Sequence, residues 1–517
     1  MPIKVRDYAD TTDPTEANAA RRHLVKGPPS KKQQQEGEDP SEDFIEEVSR
    51  AIPQRYDAGP PSIYVVPRDL AEGTKDAYEP AAVCIGPHYD GTARESEHLS
   101  KLERYKWCCV RKLIINNAAA AEGDAWDPKV HSPLLRRCLG TVSALEPRIL
   151  ASYGGGSISM ESIGGSRQLA IIVLLDGCFL LHRLLKYARL ATAGAGPDPD
   201  DDDDDDWTQV PGRYGVWGIV TRDLLLLKNQ IPFFVLQALL EQLQGRADDD
   251  VLIKGALRLF APLRPGPPMD SSTFACSCDL QHLLHLFYLS IGFSTLHADS
   301  SNSSGPPQHE QALPLELQGW MPCAKELKEA GVKFQAARNN KQQQQQQSFL
   351  DVSFRRGICG GGVLEIPPLQ LYDSSEALFR NIIAFEQTYL DTPGHVTSYA
   401  IFMDCLLKTP EDMRLLHQNG VLVSHMNGVD RDAVATGFFS RVCAQAHISP
   451  DRNYLDGVMA DVVRYQSAGW PRWRAALKRD YFSNPWATIA FVAAFFALVM
   501  TVLQTFYAVY GYYKPNN

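Results

Sequence analysis

The sequence lacks an excess of positive charge, and it shows neither the pattern expected of a secretory signal nor that of a disulfide framework. Lys and Arg total 51 against 61 Asp and Glu, which gives a formal net charge of −10. Proteins that bind the phosphate backbone of a nucleic acid need clustered positive charge, so the composition argues against nucleic acid as a partner. The first residues, Met1–Glu16, contain no apolar run, whereas a secretory signal peptide requires one.

The cysteines do not form the pattern of a secreted protein. There are 11 of them, an odd number, spread over 517 residues. Cys178 and Cys405 lie in apolar surroundings, where a free cysteine behaves as a small buried hydrophobe. Together these features predict a protein whose bulk lies in the reducing cytosol.

Local catalytic motifs are also missing. The chain contains no G-x-S-x-G, no H-E-x-x-H and no G-x-x-x-x-G-K-[ST] pattern. One metal-ligand pattern is present, a C-x-C-x3-H-x2-H arrangement of Cys276, Cys278, His282 and His285, whose four side chains are of the types that hold zinc. The alternative is that the two histidines belong to the edge of an apolar helix. We predict no catalytic residue, no bound metal and no cofactor.

The most informative stretch is Trp486–Tyr510, which has 25 positions without a formal charge. A bilayer requires roughly 20 apolar residues of helix, so this stretch predicts a transmembrane helix. Gln504 is its only strongly polar side chain. The side chains expected to face lipid are Trp486, Phe491, Phe495, Phe496, Leu498, Val502, Leu503, Phe506 and Tyr510.

Basic residues beside the predicted span indicate its orientation. Arg472, Arg474, Lys478 and Arg479 precede the span, and Lys514 alone follows it. Because positive charge is retained on the cytosolic side, we expect the body in the cytosol and residues 511–517 across the membrane. The sequence thus predicts a single pass inserted after translation, with the plasma membrane as one compatible destination. It does not identify a protein partner or an oligomeric state.

The rest of the chain predicts a mainly α-helical body with one small β-hairpin. Residues 1–55 are polar and too poor in apolar side chains to fold, so they are expected to be a disordered arm. The body is expected over residues 60–481, with disordered inserts at about 194–206, 298–313 and 339–348. The hairpin is expected within Phe349–Leu371, where two β-like runs flank a Gly-rich turn.

Two segments of the body stand out for their apolar character. Gln168–Leu190 is long enough to span a membrane, but it carries Asp176 and other charged or polar side chains, which favours a buried core helix. Asp223–Leu236 reads DLLLLKNQIPFFVL, in which four leucines are expected to end one helix. Asn229 and Gln230 form a polar joint that should lie inside the core, and Pro232 suits the first turn of the next helix.

Nine blocks of the sequence resemble the plant DUF247 family, also called UPF0481. They are Ile63–Leu70, Ala77–Gly91, Leu174–Leu185, Asp223–Leu236, Ala324–Phe334, Leu364–Leu371, Leu378–Gln387, Val396–Leu407 and Asp480–Ala494. The resemblance implies a helical body with a C-terminal membrane helix. Some relatives in grasses look like pollen-side determinants of self-incompatibility, which implies recognition or signalling. Lys228 departs from the family's usual Glu, which puts any acidic role at that position in doubt.

We therefore expect a membrane-anchored, non-enzymatic protein that recognises another protein. The alternative is an enzyme whose active site local motifs do not reveal. Such an enzyme would need a pocket that collects groups such as His88, Asp90, Asp176 or Glu386 with shifted pKa values.

Overall fold

The structure is a computed structural model, and all of its described residues lie in the unit Ala58–Asn517. The described residues are 61–71, 73–89, 94, 97–118, 125–154, 158–193, 213–246, 248–265, 280–302, 321–337, 348–357, 361–389, 391–426, 435–444, 446–448, 452–468 and 485–513. The predicted disordered arm at 1–55 lies outside them, as do residues 194–206 and most of the other two predicted inserts.

The regular elements among the described residues of the first part, up to Asn302, are helices, apart from an isolated bridge between Ile63 and Tyr153. Its α-helices are α1 (Arg68–Ala71), α2 (Glu97–Asn117), α3 (Pro128–Ala144), α4 (Glu146–Ala151), α5 (Met160–Ile163), α6 (Ser166–Ala193), α7 (Arg213–Asp223), α8 (Phe233–Gln244), α9 (Asp249–Leu259) and α10 (Leu283–Asn302). Short 3-10 turns occupy Lys75–Ala77 and Ala261–Leu263. Helix α10 runs five residues into the insert predicted to begin at residue 298.

The second part combines helices with short strands. In chain order its elements are α11 (Ala324–Glu329), β1 (Val332–Ala336), β2 (Ser353–Arg356), β3 (Gly362–Ile366), β4 (Leu369–Leu371), α12 (Ser375–Thr388), α13 (His395–Leu406), α14 (Pro410–Gln418), β5 (Leu422–Ser424), α15 (Phe438–Val442), α16 (Asp456–Ser467) and α17 (Pro485–Tyr513). The chain is therefore mainly helical, as the sequence predicts.

The predicted hairpin is confirmed, and strand pairing goes beyond it. Strands β2 and β3 pair antiparallel, with Phe354 opposite Leu364. Strand β1 adds to the other edge of β3 in parallel, which gives the order β1-β3-β2. A separate pair, β4 and β5, is also parallel. Both parallel pairs join residues that are distant in the chain, so no local turn pattern announces them.

Helix α6 is the central helix of the first part. In its most apolar 18-residue window, 83% of the residues are buried, which confirms the predicted core helix. Helices α2, α3, α8 and α9 all pack against it. Helix α9 comes closest because Gly255 has no side chain: a Cβ there would lie 2.1 Å from the carbonyl oxygen of Leu184. We expect that any larger residue at Gly255 would push the two helices apart.

The four leucines before the polar joint differ from the prediction. Helix α7 ends at Asp223, so residues 224–227 follow the helix instead of ending it. Beyond Asp223 the N–H groups of Leu225 and Leu226 bond to carbonyl oxygens three residues back instead of four. Gln230 Nε2 then donates to the carbonyl oxygens of Leu224 and Leu226 at 2.8 and 2.9 Å. A side chain thus takes the place of the helical N–H groups. Pro232 lies directly before Phe233, the first residue of α8.

Candidate functional site

Helix α17 exposes an apolar surface along its whole described length. None of the residues of Ile489–Tyr510 is buried, and this is the second described helix long and apolar enough to cross a membrane. Eight of the predicted lipid-facing side chains are between 45% and 63% exposed: Phe491, Phe495, Phe496, Leu498, Val502, Leu503, Phe506 and Tyr510. The ninth, Trp486, lies in the helix, and its side chain is outside the described part.

Two threonines of α17, Thr501 and Thr505, bond their hydroxyl groups to the backbone of the same helix. Thr501 Oγ1 donates to the carbonyl oxygen of Ala497, and Thr505 Oγ1 donates to that of Thr501, both at 2.8 Å. In hydrocarbon every polar group needs an internal partner, and these two have one. Helix α17 is therefore a candidate membrane span. The four basic residues that predict its orientation, from Arg472 to Arg479, lie outside the described residues.

A buried ionic cluster occupies the interior beside α6. Asp176 is fully buried, with Arg94 Nη2 at 2.9 Å and Lys106 Nζ at 2.6 Å from its carboxylate oxygens. Glu103 accepts a hydrogen bond from Lys106 at 2.6 Å, and the carbonyl oxygen of Cys84 accepts another at 2.5 Å. Two cations thus face two carboxylates. Burial by itself raises the pKa of Asp176, but Arg94 and Lys106 outweigh burial and hold that pKa below its ordinary value.

A second buried carboxylate, Asp223, holds an extended segment through backbone N–H groups, and its other oxygen lies 3.4 Å from Arg222 Nε. Its Oδ2 accepts hydrogen bonds from three consecutive backbone N–H groups, those of Ala81 at 2.9 Å, Ala82 at 2.7 Å and Val83 at 3.1 Å. The segment does not belong to a sheet, so the carboxylate replaces the partners that a neighbouring strand would offer. Burial raises the pKa of Asp223 to about 6, although the N–H groups and Arg222 oppose the shift.

Asn229 of the polar joint also hydrogen-bonds to the backbone of this extended segment. Asn229 Oδ1 accepts the N–H of Ile85 at 2.6 Å, and its Nδ2 donates to the carbonyl oxygens of Val83 at 3.0 Å and Asp223 at 2.8 Å. Gly86 lies so close to Gln230 that a Cβ at Gly86 would be 2.3 Å from the Gln230 carbonyl oxygen. The φ angle of Gly86 is +80°. The prediction that the joint lies inside the core is confirmed.

Asn381 links distant parts of the chain. Its Oδ1 accepts the N–H of Leu227 at 2.9 Å, and its Nδ2 donates to the carbonyl oxygens of Ala77 and Ala377, each at 2.8 Å. Like Asn229, Asn381 is buried, and both the oxygen and the nitrogen of its side-chain amide form hydrogen bonds. The polar residues of these blocks fix the backbone, which is a structural task.

The histidines of the predicted metal pattern cap a helix. His282 directly precedes α10, and its Nδ1 accepts the N–H of His285 at 3.1 Å, while its Nε2 lies 3.1 Å from the carbonyl oxygen of Ser62. Both ring nitrogens of His282 are thus engaged by the backbone. Burial, with a smaller contribution from His285, lowers the pKa of His282 to about 3, so the ring is neutral.

The other half of the pattern, Cys276 and Cys278, lies outside the described residues. Within the described part, no group of three or more His, Cys, Asp or Glu side chains is arranged to hold a metal ion. The H-x-x-H spacing has a sufficient explanation in helix capping, because it joins the residue before the helix to its third position.

The groups considered for a hidden active site do not share a network. Glu386 is buried and accepts the N–H groups of Val396 and Thr397 at 2.9 and 2.7 Å, so it caps α13, and burial raises its pKa. His88 packs edge-on against Tyr153, and burial together with Lys228 lowers its pKa to about 4. Asp90, another of these groups, lies outside the described residues.

Two cavities formed by described residues are large enough for a small ligand. One of about 540 Å³ is lined by four prolines and by aromatic side chains, with Arg264 as the only charged residue among the described residues of its wall. The other, of about 360 Å³, is lined by Tyr89, Arg94, Glu161 and neighbouring residues. Asp176, Glu386 and His88 line neither of these two cavities. Neither wall therefore brings together the acid and base groups considered for an enzyme.

Sequence reasoning missed Arg94, Lys106 and Asp223 as members of the buried polar network. The available signal was the placement of a lone Asp176 in an apolar helix, since a buried carboxylate requires cations or N–H donors. The residues that meet this need lie 70 and 82 positions away, so spacing could not identify them.

The fold and the site define a class: a mainly helical protein with a buried polar framework and one exposed apolar helix near its C-terminus. A family model described as DUF247, plant protein of unknown function, matches residues 63–500. The chain belongs to this family.

Two Arabidopsis thaliana proteins are similar over most of their length. UPF0481 protein At3g47200 is 26% identical over 465 residues, which cover 87% of this chain and 86% of the relative. Putative UPF0481 protein At3g02645 is 22% identical over 533 residues, which cover 87% and 90%. No solved structure matches this chain.

Proposed function

We propose that this protein is a membrane-anchored recognition module, whose helical body faces the cytosol and binds a protein partner without catalysing a reaction. One observation carries the proposal: Ile489–Tyr510 is apolar, and none of it is buried. Each large apolar side chain that stays in water lacks the stabilisation of about 1.5–3 kcal/mol that full burial would provide. A bilayer provides the missing cover for all of them at once.

The cytosolic side is supported by charge. Four basic residues precede the span within 14 positions of Trp486, and one follows it. Loops rich in Lys and Arg remain on the cytosolic side, and each such residue near an anionic leaflet contributes about 1 kcal/mol. The plasma membrane is one membrane with this property.

Recognition without catalysis is supported by how the polar residues are used. The buried carboxylates of Asp176, Asp223 and Glu386 bind cations or backbone N–H groups of the same chain. Residues committed in this way hold the fold. The role therefore falls to the surface of the body.

Membrane fractionation tests the anchor. The full chain and a variant lacking residues 486–517 are expressed with the same N-terminal tag and extracted with alkaline carbonate and then with detergent. We expect the full chain to require detergent and the shortened chain to appear in the soluble fraction. A full chain that carbonate releases as readily as the shortened one would falsify the anchor.

Protease protection and proximity labelling test the other two parts. In sealed vesicles with the cytosolic face outward, protease should remove the N-terminal tag; a protected tag contradicts a cytosolic body. Labelling from the same tag should then identify neighbours that depend on the span. Identical neighbours for both chains would contradict recognition at the membrane.

A further inference from the structure

The larger of the two cavities, of about 540 Å³, lies between the two parts of the body. The first part contributes residues 262–265, which end the 3-10 turn after α9 and follow it. The second part contributes Phe349, the pair Pro367 and Pro368 between β3 and β4, and the start of α12. We call this cavity the proline cavity. Its volume falls within the range of about 300–1,000 Å³ that is usual for small-molecule sites.

The wall of the proline cavity is rigid and largely apolar. Four prolines contribute to it, two from each part of the body, and a proline has a fixed φ angle and no N–H group to donate. Phe349 and Phe379 line the same cavity; both are buried, and their rings meet edge to face with centroids 6.1 Å apart. A rigid wall loses little conformational freedom when a ligand binds, and aromatic side chains pack well against a flat apolar ring.

Tyr372 is an exposed aromatic side chain on the same wall, and its contacts fix its orientation. Its ring stacks on that of His425, with centroids 4.9 Å apart and an angle of 14° between the planes. Its hydroxyl donates to Gln370 Oε1 at 2.6 Å, and its backbone N–H donates to Ser375 Oγ at 3.0 Å. The ring is therefore in place before a ligand arrives, which lowers the entropic cost of binding.

The polar groups of the wall favour a ligand that accepts hydrogen bonds. Because Oε1 of Gln370 accepts the Tyr372 hydroxyl, the two N–H groups of its Nε2 are left to donate elsewhere. Ser374 directly precedes α12, but its hydroxyl makes no capping bond. Among the described residues of the wall there is no Asp or Glu. Arg264 is not needed for the inference, since its Nη2 already donates to the carbonyl oxygen of Ser290 at 2.8 Å.

We propose that the proline cavity binds a small carboxylic acid that carries a flat apolar ring. The ring packs against the prolines, Phe349 and Tyr372, and the carboxylate accepts hydrogen bonds from Gln370 Nε2 and Ser374 Oγ. Hydrogen bonds to a charged acceptor are stronger than those between neutral groups, which favours the acid over a neutral carbonyl compound. This ligand site goes beyond the recognition of a protein partner, and it does not depend on the membrane span.

Equilibrium dialysis of three compounds tests the proposal on the full chain in phosphatidylcholine nanodiscs, with empty nanodiscs as the reference. Naphthoate has the ring and the carboxylate, naphthylmethylammonium has the ring and a cation, and hexanoate has the carboxylate without a ring. We expect naphthoate to bind with a dissociation constant of about 1 mM or below, which is usual for a ligand of its size. The other two should bind about tenfold more weakly or worse, because each lacks one of the two kinds of contact.

Gln370→Glu tests the requirement for an acceptor. The variant keeps an oxygen for the Tyr372 hydroxyl but replaces the N–H donors with a negative charge. Naphthoate should bind it about tenfold more weakly than it binds the natural chain, and naphthylmethylammonium should bind it more tightly. Because Gln370 is exposed, the melting temperature of the body should stay unchanged, which separates a loss of binding from a loss of folding.

Two aromatic substitutions form a matched pair. Tyr372 and Trp126 are 44% and 37% exposed, and each stacks on a histidine, but Trp126 does not line the proline cavity. Tyr372→Leu should weaken naphthoate binding about fivefold, whereas Trp126→Leu should leave it unchanged. Ser374→Trp places a large side chain at a half-buried position of the wall, so it should fill the cavity and abolish binding.

Three results would overturn the proposal. The first is a natural chain that retains no more naphthoate than empty nanodiscs do. The second is equal binding of naphthoate and naphthylmethylammonium. The third is naphthoate binding that Gln370→Glu and Ser374→Trp both leave intact, since the compound would then lie elsewhere on the chain.

Discussion

Helices α6 and α17 have nearly the same length and apolar character, yet they lie in opposite environments. Helix α6 has 28 residues and α17 has 29, and both are long and apolar enough to cross a bilayer. Helices of the body cover α6, whereas none of the described side chains of α17 is buried. Charge marks the difference in the sequence: α6 contains Asp176, which requires protein neighbours, together with several basic residues, and Ile489–Tyr510 contains no charge at all.

A matched pair of substitutions gives the largest expected difference. Leu181→Arg places a cation in the fully buried side of α6, and we expect it to remove about 5 kcal/mol or more of the free energy of unfolding, which is comparable to the whole stability of many domains. Leu498→Arg in α17 should leave the body's unfolding within about 0.5 kcal/mol of the natural chain. It should instead disfavour membrane insertion by about 3 kcal/mol. Thermal melting in detergent measures the first two effects, and carbonate extraction measures the third.

The comparison would fail if Leu498→Arg lowered the melting temperature of the body as much as Leu181→Arg does. Helix α17 would then be a part of the core and not a candidate span.

The next largest effect concerns the charge inside α6. Asp176→Ala leaves Arg94 and Lys106 as buried cations without their shared carboxylate, and we expect a loss of about 3–5 kcal/mol in the free energy of unfolding. Asp461→Ala is the control, since it breaks the exposed pair with Arg464 and should cost about 0–1 kcal/mol. Urea denaturation measures both. Equal losses would show that the cluster contributes no more than a surface pair.

Asp223 extends the test to a buried carboxylate that is held by three backbone N–H donors as well as by Arg222. Its folded pKa of about 6 exceeds its ordinary value of 3.8, so the folded state binds the proton more tightly. The resulting stabilisation is fully present below pH 3.8 and is lost as pH rises through about 6. A shift of this size corresponds to roughly 3 kcal/mol.

Asp223→Asn removes that titration. We expect the stability difference between the natural chain and the variant to change by about 2–3 kcal/mol between pH 4 and pH 7, to the disadvantage of the natural chain at higher pH. Urea denaturation at several pH values provides the measurement. Parallel pH profiles would mean that Asp223 titrates as it does in the unfolded chain.

The smallest expected effect belongs to Gln504, the strongly polar side chain of α17. Gln504→Leu should leave the melting of the body unchanged and favour insertion by about 0.5–2 kcal/mol, because an amide no longer enters hydrocarbon. Thr501→Val is a suitable comparison, since the threonine hydroxyl already has its partner at Ala497. A lower melting temperature for Gln504→Leu would indicate that the amide contacts the body.

The sequence predicted those features that a local pattern determines. An uninterrupted apolar run predicted α17, and a Gly-rich turn predicted the pairing of β2 with β3. The polar and charged side chains of a similar run, among them Asp176, His182 and Arg183, predicted that α6 is buried. The polar joint at Asn229 could also be recognised, because a polar pair between two strongly apolar flanks must find partners inside the core.

The features that the sequence did not predict depend on tertiary contacts. The partners of Asp176, the parallel pairing of β1 with β3 and the ending of α7 all depend on residues brought together by folding. The same limit applies to the metal pattern. His282 and His285 have the side chains and the spacing of ligands, but the spacing reflects the geometry of a helix start, and the backbone engages both nitrogens of His282.

The bridge made by Asn381 has a consequence for how the protein is made. Its amide joins Ala77 to a residue 304 positions later in the chain. At roughly 5–20 residues per second, the ribosome needs about 15–60 s to travel from one to the other. During that interval the segment around Ala77 lacks its final hydrogen-bond partner, although the apolar helix α6 has already been synthesised. We therefore expect the growing chain to rely on chaperones until its twelfth helix emerges.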